Sequence, residues 1–150
     1  MVRRFYAVTT TSIYCVDAGT VKTGGRPVAT KIALRGESEL KIGAALEGGT
    51  MLAITTCLQM YIPEGGGITS FKREIEGVNT RYWFGHSSDI VALFSNEKAA
   101  RECFSKSDLV TCDPRWLNST REVLDRIGDK HPNFYVCKWG NLNLLQTSDA

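Results

Sequence analysis

The sequence predicts a single α+β domain spanning residues 1–150, on three observations. Segments rich in β-branched and aromatic residues crowd the first half, helical periodicity is confined to the second, and strands and helices do not alternate regularly. With 43% hydrophobic and 23% charged residues, a chain of 150 sustains one core and leaves little for a second.

The elements follow in order. RRFYAVTT and SIYCVD have strand composition, and the threonine-rich join between them is either a hairpin turn or the middle of one long strand. Gly19, Gly24 and Gly25 interrupt the pattern before PVATKIAL, where Val28, Thr30, Ile32 and Leu34 share one face at the period of two. LKIG, a turn at EGGT and the apolar run MLAITTCLQMYI continue the strand character. From Pro63 the chain carries three consecutive glycines and a charged stretch, which reads as a long loop. RYWFG and IVALF are two further strands.

Ser95 or Asn96 is positioned to cap a helix over EKAARECF, whose Ala99, Ala100, Cys103 and Phe104 form one stripe. Asp113 before Pro114 is a second helix start, with Ser119 and Glu122 as an internal alternative. Trp116, Thr120, Val123, Leu124 and Ile127 make its buried stripe, and Gly128 ends it. NFYVCKW alternates as a strand, and WGN offers a turn into LNLLQ. The expected sheet is mainly antiparallel and partly curled, with two helices in the C-terminal half against one face; a small β-barrel with appended helices is the near alternative.

Eighteen Lys plus Arg against sixteen Asp plus Glu leave a net charge of +2, spread over both halves, which argues against nucleic acid as a partner. No apolar run approaches the roughly 20 residues that span a bilayer, and the opening residues lack a signal-peptide apolar core, so a cytoplasmic protein without membrane association is expected. The five cysteines are irregularly spaced with no C-x-x-C pair, arguing against a disulfide framework and for buried small hydrophobes. Two histidines and scattered cysteines provide no metal-ligand spacing, and the glycine run is not followed by Lys-Ser or Lys-Thr as in a P-loop. Neither a metal nor another cofactor is expected.

The densest chemistry lies at RYWFGHSSD. Arg81 offers a forked donor, Tyr82, Trp83 and Phe84 offer flat faces, and Gly85 allows close backbone approach. His86 with Ser87 or Ser88 supplies base and nucleophile types, although neighbours on a strand point to opposite faces. GHSSD departs from the G-x-S-x-G elbow, because Asp89 replaces the last glycine. His86-Ser87-Ser88 matches half of the paired motif of two-histidine phosphoesterases, but His131-Pro132-Asn133 lacks the partner hydroxyl. Lys72 and Arg73 could reach an anion, with Glu74 and Glu76 opposing their field.

These residues point first to a non-enzymatic binding or regulatory module. It would recognise a protein partner or a small anionic ligand through Arg81, Tyr82, Trp83, His86, Lys72 and Arg73. A small hydrolase or phosphoesterase using His86 with Ser87 or Ser88 is the alternative. A structural subunit of a homo-oligomer is the third reading.

Overall fold

The alternating residues of the N-terminal half become a sheet with two distinct faces. The computed structural model describes residues 3–38, 40–61, 83–128 and 131–136. Its strands are β1 (Arg4–Thr9), β2 (Ser12–Asp17), β3 (Val28–Leu34), β4 (Ala45–Leu46), β5 (Met51–Ile54), β6 (Leu58–Tyr61), β7 (Trp83–His86), β8 (Ile90–Phe94) and β9 (Phe134–Val136). Two helices, α1 (Glu97–Phe104) and α2 (Leu117–Ile127), lie between β8 and β9.

The architecture is α+β, as expected, but the strands divide into two sheets. One has the order β4-β3-β2-β1-β8, the other β7-β6-β5-β9, and neither closes into a barrel. Among the described residues all pairings are antiparallel except β5 with β9. The threonine-rich join is a hairpin turn, since β1 and β2 pair from Arg4 opposite Asp17 to Val8 opposite Ile13. MLAITTCLQMYI is likewise two strands, broken at Thr55–Cys57, where Thr55 N donates to the Cys57 carbonyl. The glycine-rich loop after Pro63 and the closing segment LNLLQ lie outside the described residues.

Phe5, Ala7, Tyr14, Val16 and Ala29 turn inward from the first sheet and meet Leu52, Ile54, Leu58 and Met60 of the second. Phe5 packs edge-on against Phe134 at 5.4 Å between ring centres, tying β1 to β9. Val123, Leu124 and Ile127 of α2 join this same core. Ala100 and Cys103 of α1 instead pack with Val8, Ile13 and Phe94. Ala7 and Val8 are adjacent on β1 and so face opposite ways, which puts the helices on opposite faces of the first sheet and corrects the expectation of one shared face.

The helix starts follow the capping residues. Asn96 accepts the Ala99 amide at 2.8 Å, and Asp113 accepts the Arg115 amide at 3.0 Å to start a 3₁₀ turn, Pro114–Trp116, that leads into α2. Ser119 lies inside α2 and donates to the Trp116 carbonyl, so it is not the cap. The outer edge of β8 is covered: the amides of Cys112 and Asp113 donate to the Ile90 and Val91 carbonyls, and Leu93 N donates to Thr120 Oγ1 at 3.0 Å. Among the described residues no helix is long and apolar enough to cross a membrane.

Candidate functional site

His86 stands at the end of β7, an edge strand of the second sheet. Its pairing is bulged: Gln59 faces His86 and Tyr61 faces Trp83, so Phe84 and Gly85 together oppose Met60. Gly85 takes the left-handed backbone this requires, with φ of 78°, and a Cβ there would lie 3.2 Å from a Leu46 methyl. Glycine thus serves both the bulge and the close approach of the first sheet. Gly85 and His86 are exposed.

Beyond His86 the chain is locked. Ser87 is buried, and its amide donates to the Leu58 carbonyl while its hydroxyl accepts from Leu58 N at 2.8 Å. That hydroxyl donates to the Ser88 carbonyl at 2.7 Å. His86 Nδ1 lies 2.9 Å from the Ser87 carbonyl, which can only accept, so Nδ1 carries the proton and Nε2 is the acceptor of the neutral ring.

Ser88 connects this segment to the other sheet. Its Oγ donates to Thr9 Oγ1 at 2.8 Å, while the Thr9 hydroxyl donates to the Ser12 carbonyl at 3.1 Å. With the Ser88 proton so committed, Thr11 Oγ1 must be the donor across its 2.8 Å contact with Ser88 Oγ. The Thr11 oxygen then accepts from Ser12 Oγ at 3.3 Å. One directed chain therefore runs from the Ser12 hydroxyl through Thr11, Ser88 and Thr9 back to the Ser12 carbonyl, each bond polarising the next. Thr10 N donates to the Asp89 carbonyl and Ile90 N to the Thr56 carbonyl, so turns from both sheets meet at Ser87–Asp89.

Asp89 is exposed and accepts from Thr111 Oγ1 at 3.3 Å. Burial pushes the thiols of Cys57 and Cys112 above the ordinary cysteine value, and the Asp89 charge adds to both shifts. Thr11, His86 and Asp89 present exposed side chains here, with Ser88 half-buried.

Of the residues singled out in the sequence, the structure brings His86, Ser87 and Ser88 together with Thr9 and Thr11. It does not bring His86 to His131. Gln59 faces His86, Ala53 faces Gln59, and Tyr135 faces Ala53, so three strand spacings, about 14 Å, separate His86 from β9. His131 is buried, stacks on Phe134 at 4.6 Å and accepts the Asn133 amide on Nδ1. Lys72, Arg73, Arg81 and Tyr82 lie outside the described residues, as do the side chains of Trp83 and Phe84. Thr9 and Thr11 were missed because they sit 79 and 77 positions from Ser88; the only signal in the sequence was the unusual run Thr9-Thr10-Thr11-Ser12. No family model matches the chain, and neither does any curated protein or solved structure.

Proposed function

We propose that the protein is a small binding module whose recognition surface centres on His86, with Arg81, Tyr82 and Trp83, which precede it closely in the sequence, as further candidate contacts. The observation that carries this reading is an exposed imidazole at a hydrogen-bonded junction of both sheets, beside hydroxyls already committed to structure. Ser87 Oγ gives its proton to a main-chain carbonyl and Ser88 Oγ gives its proton to Thr9, so neither is activated by His86 as a nucleophile requires. That favours binding over the hydrolase reading at this position. Thr11, Thr56, Ser88, Asp89 and Thr111 carry no positive charge, which favours a protein partner; a small anion would draw on Lys72, Arg73 and Arg81. The free thiols of Cys15, Cys57, Cys103 and Cys112 suit a reducing, cytoplasmic setting.

The test is quantitative co-purification with wild type, His86→Ala and Arg81→Ala, alongside native mass spectrometry. A partner or small anion held by wild type and lost from both variants supports the reading; equal retention by all three overturns it. The same spectra give the assembly mass, and a monomer at high concentration removes the homo-oligomer reading.

A further inference from the structure

Lysine is rarely buried without a partner charge, yet Lys31, near the middle of β3, is 3% exposed. Two residues after the buried Ala29 and opposite Tyr14, it points to the core face of the first sheet. Its ammonium pairs with no carboxylate among the described residues. Instead Nζ donates to the Leu40 carbonyl at 2.6 Å and lies 3.3 Å from Ser38 Oγ. The Leu40 amide donates to the same hydroxyl at 3.2 Å. The chain around them is pinned to β3, since Lys31 N donates to the Ala44 carbonyl and Gly43 N to the Lys31 carbonyl.

This is the arrangement of a nucleophile, a base and a group that orients the base. We propose that Ser38 and Lys31 form a serine–lysine dyad for acyl transfer, in which Lys31 Nζ takes the Ser38 proton as Oγ attacks the carbonyl carbon of an ester. The Oγ–C bond forms and the ester C–O bond breaks, the alcohol leaving with the proton held by Lys31. Water, deprotonated by the same amine, then splits the acyl-serine into free acid and Ser38. The Leu40 carbonyl holds one N–H of Lys31 and so turns the amine lone pair toward Oγ. The Leu40 amide, donating to Oγ at 3.2 Å, holds that hydroxyl beside Nζ.

Burial lowers the Lys31 pKa, and the charge of Lys41 lowers it further. The Tyr14 ring, 5.5 Å from Nζ, belongs to a phenol that burial keeps protonated well into the alkaline range. The site is separate from His86 and the activity goes beyond the binding reading.

The test is an alkyl fluorophosphonate applied to the intact protein: the Oγ–P bond forms, fluoride leaves, and the proton passes to Lys31. The expected result is a single adduct mapping to Ser38, absent from Ser38→Ala and formed faster as pH rises through the Lys31 titration. Lys31→Arg keeps a donor for the Leu40 carbonyl but no base at working pH, so labelling slows at least about a hundredfold while the thermal midpoint stays near wild type. No adduct, an adduct on Ser87 or Ser88, or labelling of Lys31→Arg at the wild-type rate overturns the proposal. Should that variant fail to fold, a wild-type labelling rate independent of pH overturns it.

Discussion

The Ser88 hydroxyl donates to that of Thr9 across 2.8 Å, joining the connection between β7 and β8 to the end of β1. Thr9 is fully buried, and its oxygen also accepts the Ser12 amide at 2.9 Å. Thr9→Val keeps the shape but strands that amide and the Ser88 proton, costing about 1–3 kcal/mol. Ser88→Ala is expected to cost about 1 kcal/mol. Because both interrupt one directed chain, the double variant should lose less than the sum of the two, measured by urea unfolding. Additive losses would show that the hydroxyls act independently.

The thiols differ in reactivity in a defined order. Burial, reinforced by the Asp113 charge, pushes Cys103 up to about 12, where the nucleophilic thiolate is scarce at neutral pH. Iodoacetamide labelling of the native protein, followed by peptide mapping, should leave Cys103 unmodified after the half-buried Cys15, Cys57 and Cys112 have begun to react. Early modification of Cys103 would contradict its packing against Ala100 and Val8.

Asp113 makes stability depend on acid. It is 2% exposed, and hydrogen bonds from the Arg115 guanidinium, with Nη2 at 2.7 Å, hold its carboxyl below the ordinary aspartate value. The folded pKa thus lies below the unfolded value of about 3.9. Its contribution is fully present above that unfolded value and is lost as pH falls through the folded one. Urea midpoints of wild type should therefore drop more steeply below about pH 4 than those of Asp113→Asn. Parallel pH profiles would remove this assignment.

Gly49, just before β5, has no room for a side chain. A Cβ there would stand 2.5 Å from the Tyr61 carbonyl oxygen, and Thr50 N already donates to that carbonyl. Main chain cannot yield as a flexible side chain does, so Gly49→Ala should destabilise by about 1–3 kcal/mol. Circular dichroism melts would check it, and an unchanged midpoint would show that β5 and β6 can part at this turn.

Local chemistry was the legible part of this fold. Asn96 and Asp113–Pro114 were readable as helix starts because capping is settled within three residues. Of the expected stripe, Thr120, Val123, Leu124 and Ile127 are buried because they recur at helical spacing, whereas Trp116 precedes the helix and packs with the Val8 cluster instead. The split of MLAITTCLQMYI was hidden, since a continuous apolar run has no period to break. His86, Ser87 and Ser88 were visible as chemically able residues, but their hydrogen-bond partners were not.

The sequence by itself determined an α+β chain, candidate helix starts and ends, and which segments have strand character, because propensity, alternation and capping act between near neighbours. Tertiary structure alone decided that the strands form two sheets, that α1 and α2 lie on opposite faces, and that Ser88 belongs to Thr9 and Thr11. It also decided that Lys31 is buried beside Ser38. Each of these depends on which distant segments share a core and on which polar groups must find partners once water is excluded.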